Sequence, residues 1–321
     1  MRHALPGDET TLSGPLPWQS AAWARFTRAL DAGRSPHAVL LAGSAGIGKM
    51  RLAEAMAARL LCEQPGAAGA CGACRGCLLQ QAGSHPDRLT VVPEAEGSGI
   101  LKIEAVRALT EFSQRTSQFN GYRTAILAPA EALNRNAANA LLKTLEEPPP
   151  GVVLILVSHR PGRLPATIRS RCQLYRLGIP NRTDGLEWLT TQGITEPAPL
   201  LDLAGGAPLE AIALAESGGA ARYQQLADHV RQVVKGDLSP VEAAGQWQET
   251  GARQVTALMQ HLALDVARAQ ARGERGALSA HHLAARDIHA LALRLGDLRR
   301  AAEQSLSREL SLEALFLLWR P

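Results

Sequence analysis

Apolar residues in the first half of the chain form short continuous runs, separated by longer segments with helical periodicity. The continuous runs are typical of strands buried on both faces of a parallel sheet. They are HAVLLAG at 37–43, LTVV at 89–92, RTAILAPA at 123–130 and VVLILVS at 152–158. Helices are predicted over 18–33, 51–61, 103–115 and 134–147, with a short one near 165–172. Strands that alternate with helices predict a parallel α/β domain over residues 1–177.

The second half of the chain has no strand pattern. Residues 183–217 predict two or three short helices, separated at Gly193, Gly205–Gly206 and Gly218–Gly219. From residue 222 onward the periodicity is helical, and the last helix is apolar around most of its circumference. We therefore predict a small helical domain over 178–218 and an all-α domain over 219–321.

Composition narrows the class of protein only slightly. The chain has 321 residues, of which 46% are hydrophobic and 20% charged, as is usual for a soluble globular protein. A net charge of +4 is compatible with nucleic acid nearby but does not require it. The sequence has no run of about 18 apolar residues and no apolar leader, so we expect a cytoplasmic protein without a membrane partner.

The segment GSAGIGKM, which joins the first strand to a helix, resembles a phosphate-binding loop. Gly43, Gly48 and Lys49 occupy the fixed positions of G-x-x-x-x-G-K-[S/T], and Gly46 lies inside the loop. Met50 stands where a hydroxyl normally helps to hold magnesium. The backbone N–H groups and Lys49 retain the chemistry that binds phosphate. Binding of ATP or ADP therefore stays open.

Hydrolysis requires more than this loop. An acidic residue at the end of a second strand must support magnesium, and a carboxylate must polarise the attacking water. The residues just past the apolar run of 123–127 are Ala128 and Pro129, and Glu131 lies two positions further on, where only an unusual backbone path would let it substitute. The loss of the hydroxyl at Met50 and of the acid at this strand predicts no ATP hydrolysis.

Four of the five cysteines are clustered with the spacing C-x8-C-x2-C-x2-C: Cys62, Cys71, Cys74 and Cys77. In a reducing compartment such clustering favours a metal site over disulfides. Four thiolates complete the tetrahedral shell of Zn²⁺ and leave no open position, which indicates a structural zinc site. An iron–sulfur cluster and free core cysteines are the alternatives.

Three segments together resemble one protein family. ANALLKTLEEPPP at 138–150, LPATIRSRCQLYRL at 164–177 and CGACRGCLLQQAGSHPD at 71–87 are similar to the clamp-loader subunits of bacterial DNA polymerase III, which are AAA+ ATPases. The motor subunits of that family carry a complete magnesium-binding loop and a D-E pair on the second strand. This chain has neither, so the resemblance is to a non-motor subunit.

This resemblance implies a AAA+ domain with a cysteine insertion at 62–77, a helical lid over 178–218 and a helical collar over 219–321. It also implies a heteropentamer with the gamma/tau motor subunits and a delta subunit, which loads the sliding clamp on primed DNA during replication. By the same resemblance Arg171, in the motif formed with Ser170 and Cys172, is an arginine finger for the ATP of a neighbouring motor subunit. Ser158 matches a γ-phosphate sensor, and Leu209 replaces an arginine that the lid supplies in active relatives.

Other interpretations of these residues stay open at the level of sequence. An active AAA+ ATPase subunit is the main alternative, and a zinc-dependent nucleic-acid-binding module is the other. Arg171 alone would be an ordinary surface arginine. Lys143, Glu146 and Glu147 indicate a solvated helix end, with family-specific contacts as the alternative. HPD at 85–87 indicates a turn, rather than a metal or catalytic site. The remaining candidates are expected to face solvent, with DNA or a collar helix as the alternative for the arginines: His281, His282, Arg294, Arg299, Arg300 and Arg308.

Overall fold

The computed structural model describes residues 12, 14–94, 99–119, 121–272, 285–301 and 308–320. The chain divides into two compact units, with the boundary between Ala213 and Leu214. The three-part division at residues 177 and 218 stays a prediction.

A five-stranded parallel sheet forms the centre of the first unit, with the strand order β2-β3-β4-β1-β5. The strands are β1 (Ala38–Ala42), β2 (Arg88–Val91), β3 (Arg123–Leu127), β4 (Val152–Ser158) and β5 (Gln173–Arg176). The four apolar runs predicted as strands are confirmed. Because the strands are parallel, all their carboxyl ends lie at one edge of the sheet, where Ala42 pairs with Ser158 and Arg176.

Helices account for most of the remaining described residues. In the first unit they are α1 (Ser20–Asp31), α2 (Lys49–Leu61), α3 (Arg75–Gln81), α4 (Ile103–Gln114), α5 (Arg135–Glu146), α6 (Ala166–Arg169), α7 (Arg182–Thr191) and α8 (Pro197–Leu203), followed by α9 (Pro208–Glu216), which crosses the boundary. In the second unit they are α10 (Gly219–Lys235), α11 (Pro240–Gln246), α12 (Ala252–Arg272), α13 (Ala285–Ala301) and α14 (Arg308–Leu317).

Both faces of the sheet are buried, which explains why its strands are apolar without alternation. Successive strand residues point to opposite faces, so Leu40 joins the core under α4 and α5, while Val39 and Leu41 join the core under α1 and α2. A third apolar cluster lies among α7, α8 and α9 and includes Leu16 from the segment before α1. Through this cluster the helical segment after the sheet reaches the chain beside the glycine loop.

The last helix of the chain is buried along most of its apolar surface, although Leu317 remains exposed. Among the described residues no single helix has the length and apolar character of a membrane span. Only the bent pair of α8 and α9 meets those criteria jointly.

Candidate functional site

The glycine loop leaves the carboxyl end of β1 and enters α2 at Lys49. A Cβ atom at Gly43 would collide with the carbonyl oxygen of Leu177, at the end of β5. Gly46 and Gly48 have φ angles of 73° and 81°, a region that residues with a Cβ rarely adopt. The glycines are therefore required by the path of the backbone, whether or not a phosphate binds.

Segments from both ends of the first unit lie directly against this loop. The N–H of Leu209 donates to the carbonyl oxygen of Gly46 at 3.0 Å. A Cβ atom at Gly46 would be 2.7 Å from the Cβ of Glu210. From the other side, the side-chain amide of Gln19 donates to the carbonyl oxygen of Gly48 at 2.8 Å. The chain itself thus covers the loop at both glycines with positive φ.

Lys49 is buried, with 2% of its surface exposed, and its ammonium group donates to the carbonyl oxygen of Ser44 inside the loop. Burial lowers the pKa of Lys49 from 10.5 to about 8, and the negative charge of Glu131 opposes that shift. Burial also lowers the pKa of the neighbouring His159, with the charge of Lys49 as a further cause. The ammonium group of Lys49 therefore already has an acceptor, the carbonyl oxygen of Ser44, and a negative charge nearby, that of Glu131.

Glu131, which the sequence predicts to reach this site only by an unusual backbone path, lies within electrostatic range of Lys49. Its Oε1 accepts hydrogen bonds from the backbone N–H groups of His159, at 2.9 Å, and Arg160, at 3.1 Å. Its Oε2 is buried and has no hydrogen-bond partner among the described residues. Glu131 therefore fixes the chain after β4. Its position in a 3-10 turn after β3 gave no signal of this in the sequence.

The positions that would support hydrolysis hold apolar side chains packed into the core. Met50 and Ala128 pack against the cluster under α1 and α2. Leu209 packs among the helices α7 to α9. Ser158 is buried at the end of β4, where its hydroxyl accepts from the N–H of Arg160 at 3.2 Å. None of these four side chains brings a negative charge toward the loop.

Arg171 lies at the amino-terminal ends of the strands, whereas the glycine loop lies at their carboxyl ends. It follows α6 and precedes β5, and Gln173 pairs with Val39 near the beginning of β1. The loop begins after Ala42, which pairs with Arg176. At about 3.3 Å per residue, Arg171 is roughly 15 Å, measured along the strands, from the position where the loop begins.

The guanidinium group of Arg171 has two contacts. Its Nη2 lies 2.7 Å from Oε1 of Glu146, and its Nη1 donates to the carbonyl oxygen of Thr167 at 3.0 Å. The side chain is 35% exposed. These contacts use two of the five N–H donors of an arginine, so three remain.

Ser170 and Cys172, the neighbours of Arg171 in the motif, stabilise the local structure. The Ser170 hydroxyl donates to the carbonyl oxygen of Thr167 at 3.1 Å. Cys172 is buried in the apolar core under α4 and α5, and burial raises the pKa of its thiol to about 12. A thiol with that pKa stays protonated at neutral pH, so Cys172 supports the motif by packing rather than by chemistry.

The four clustered cysteines are brought together as the spacing predicts. Their sulfur atoms all lie within 4.8 Å of one another. The distances from Cys62 to Cys74 and from Cys71 to Cys77 are both 3.9 Å between sulfurs. Four sulfurs around one Zn²⁺ at about 2.3 Å would be about 3.8 Å apart, so the group fits a single tetrahedral ion. An iron–sulfur cluster would spread the thiolates over separate irons.

Backbone N–H groups also point at these sulfurs. The N–H of Cys74 donates to the sulfur of Cys71, and that of Cys77 to the sulfur of Cys74. Backbone hydrogen bonds from Ala73 and Cys74 lower the pKa of Cys71 to about 6, which favours its thiolate. Burial raises the pKa values of Cys62 and Cys77, and a bound cation would favour their thiolates.

The HPD segment at 85–87 forms a turn, as predicted, and Asp87 has an unpredicted role there. This carboxylate is fully buried and accepts hydrogen bonds from the N–H groups of Gln118 and Phe119 and from the hydroxyl of Ser117. The guanidinium of Arg123 lies 3.6 Å away. Asp87 thus joins the start of β2 to the segment that leads into β3.

Of the remaining candidates, only Arg294 has a described side chain. Arg294 is exposed on α13, as expected. His281 and His282 lie outside the described residues, as do the side chains of Arg299, Arg300 and Arg308.

The strand order, with a glycine loop after β1, which lies between β4 and β5, and with α2 following that loop, is that of a AAA+ nucleotide-binding fold. A family model described as DNA polymerase III, delta subunit, matches residues 18–180. DNA polymerase III subunit delta' of Pseudomonas aeruginosa is 44% identical over 237 residues, covering 72% of this chain and 70% of that protein. The chain belongs to the family of DNA polymerase III delta' subunits.

More distant relatives cover less of the chain. Subunit delta' of Escherichia coli is 39% identical over 201 residues, which are 62% of this chain and 60% of that protein. DNA polymerase III subunit tau of the same organism is 35% identical over 148 residues, which are 46% of this chain and 22% of that protein.

Proposed function

We propose that this chain is a non-hydrolysing subunit of the DNA polymerase III clamp loader, which donates Arg171 to ATP bound by a neighbouring motor subunit. The observation that carries the proposal is the position of Arg171 at the edge of the sheet opposite its own glycine loop. An arginine at that position is remote from its own loop, which leaves its remaining N–H donors for another subunit. An always-charged guanidinium suits the negative charge that develops on a transferred phosphoryl group.

The chain's own loop also supports a subunit that does not hydrolyse ATP itself. Lys49 donates to Ser44 within the loop and is within electrostatic range of Glu131. Met50 and Ala128 pack into the core, where active relatives place a hydroxyl and an acid. Without those groups the protein contributes no ligand to magnesium at these two positions, and most of the stabilisation of the transition state is lost.

Membership of the delta' family supports a proposal for the partners. We propose that the chain assembles with gamma/tau motor subunits and a delta subunit, and acts on the sliding clamp and primed DNA only through that complex. The helical segment over 178–218 would serve as the lid and residues 219–321 as the oligomerising collar.

We further propose that Cys62, Cys71, Cys74 and Cys77 hold one structural Zn²⁺. The separations between their sulfurs fit a single ion. Four protein ligands fill its tetrahedral shell, so the ion would stabilise the insertion and take no part in hydrolysis. Elemental analysis of the purified chain should find one zinc and no iron per molecule, and stoichiometric iron would refute the assignment.

Substitution of Arg171 in the reconstituted loader tests the main proposal. Arg171→Ala and Arg171→Lys should both assemble and both lose a large part of the DNA-stimulated ATPase, because lysine keeps the charge but not the forked donors. Arg169→Ala is the matched control, since Arg169 is exposed on α6 and close in sequence. An unchanged rate for Arg171→Ala would overturn the finger assignment. DNA-stimulated turnover by the chain alone would instead favour an active ATPase subunit.

A further inference from the structure

Two adjacent carboxylates, Glu146 and Glu147, lie at the carboxyl end of α5. Negative charge is unfavourable at this end of a helix, because the last carbonyl groups carry the negative end of the helix dipole. Both residues are exposed, yet they differ in their surroundings. Glu146 pairs with Arg171 at 2.7 Å, whereas Glu147 has no ion-pair partner among the described residues.

The contact between Glu146 and Arg171 joins two separate elements. Glu146 belongs to α5, and the other acceptor for the guanidinium is the carbonyl oxygen of Thr167 in α6. One acceptor binds Nη2 and the other binds Nη1, at 2.7 and 3.0 Å. Acceptors on both terminal nitrogens fix the plane of the guanidinium. An exposed arginine without such contacts samples many rotamers and loses that freedom only when it binds.

We propose that Glu146 is a positioning residue for Arg171, which holds the guanidinium in one orientation before a neighbouring subunit's phosphate arrives. Three N–H donors remain outside the two contacts and are available to the phosphate oxygens. This role rests on the proposed finger function of Arg171. Glu146 itself does not touch the phosphate in this account, and it acts through the arginine.

The size of the effect is set by the exposure of the pair. Arg171 is 35% exposed and Glu146 is 48% exposed, so solvent screens their attraction. Ion pairs of this kind bias the populations of their side chains by a factor of at most about five. Loss of Glu146 should therefore lower the turnover number of the loader by about two- to fivefold, much less than loss of Arg171.

The test uses the reconstituted complex with primed DNA and clamp, and it measures kcat and KM for ATP. Glu146→Ala should lower kcat by about two- to fivefold with little change in KM, whereas Glu146→Gln keeps an acceptor oxygen and should recover most of the rate. Glu147→Ala is the matched control and should behave as the wild type. In the Arg171→Ala background, Glu146→Ala should have no further effect, because the two residues act as one unit.

The outcomes distinguish this inference from the function on which it rests. If Arg171→Ala itself leaves the rate unchanged, the finger assignment and the role of Glu146 both fail. If Arg171→Ala abolishes stimulation but Glu146→Ala has the wild-type rate, or lowers the rate equally in both backgrounds, only the positioning role fails. A faster Glu146→Ala loader would show that the carboxylate competes with phosphate, which also contradicts positioning.

Discussion

Replacing Lys49 by methionine should make the chain more stable at neutral pH. In a loop that binds phosphate through its lysine, this change removes a ligand contact. Here the ammonium is buried and has the carbonyl oxygen of Ser44 as its hydrogen-bond acceptor. Methionine has a similar length and shape but carries no charge to desolvate, so Lys49→Met removes an energetic cost of folding.

The expected magnitude follows from the lowered pKa. A change from 10.5 to about 8 corresponds to a destabilisation of about 3 kcal/mol at pH 7. Loss of the hydrogen bond to Ser44 offsets about 1–2 kcal/mol of this. The net gain is about 1–2 kcal/mol, or about 3–6 °C in the midpoint of thermal unfolding for a unit of about 200 residues.

The pH dependence separates this cause from better packing. The folded chain releases the Lys49 proton as the pH rises through about 8, while the unfolded chain keeps it until 10.5. Between these values the unfolded state binds more protons, so wild-type stability rises with pH relative to the variant. The advantage of Lys49→Met should therefore shrink by about 2 kcal/mol between pH 7 and pH 9.5.

Calorimetric unfolding of the isolated chain at both pH values measures these differences. Lys143→Met is the matched control, because Lys143 is exposed on α5, and it should change stability by less than about 0.5 kcal/mol. A less stable Lys49→Met at pH 7, or an advantage of the same size at both pH values, would refute the burial of a charged ammonium.

Three further outcomes are expected. Asp87→Ala should lower the unfolding free energy by about 3–5 kcal/mol, because it leaves buried donors and Arg123 without their carboxylate. The control Asp202→Ala, at an exposed residue, should lower it by at most about 1 kcal/mol. Equal shifts in the midpoint of thermal unfolding would contradict this. Cys77→Ser should abolish zinc content by elemental analysis, while Cys172→Ala should keep one zinc, and retention of zinc by Cys77→Ser would exclude the four-cysteine site. Met50→Thr should still show no phosphate release by the isolated chain, because Ala128 and Pro129 supply no acid and Glu131 is already the acceptor for the backbone N–H groups of His159 and Arg160. Measurable turnover would show that position 50 alone had silenced the loop.

Much of the sheet and the cysteine site could be predicted because their signals are local. The apolar runs and the two C-x2-C steps each lie within a few residues. The helix α3 was missed, since it begins inside the cysteine insertion and is capped by a sulfur. The N–H of Cys77 donates to the sulfur of Cys74 instead of to the oxygen of a Ser, Thr, Asp or Asn side chain.

The relations that decide function are not local, and the sequence did not reveal them. Glu131 meets Lys49 because two strands place them at the same edge of the sheet, and Glu146 meets Arg171 because α5 ends beside α6. The glycine pattern indicates which backbone the loop adopts. It carries no information on the cover provided by Leu209, whose position depends on the helices after the sheet.

We propose that ATP hydrolysis by the loader depends on Arg171, at the amino-terminal ends of the strands, and not on this chain's own glycine loop at their carboxyl ends. The most direct test is the DNA-stimulated ATPase rate of loaders reconstituted with either Arg171→Ala or Lys49→Met. We expect a large loss for Arg171→Ala and a wild-type rate for Lys49→Met. A wild-type rate for Arg171→Ala together with a large loss for Lys49→Met would contradict it.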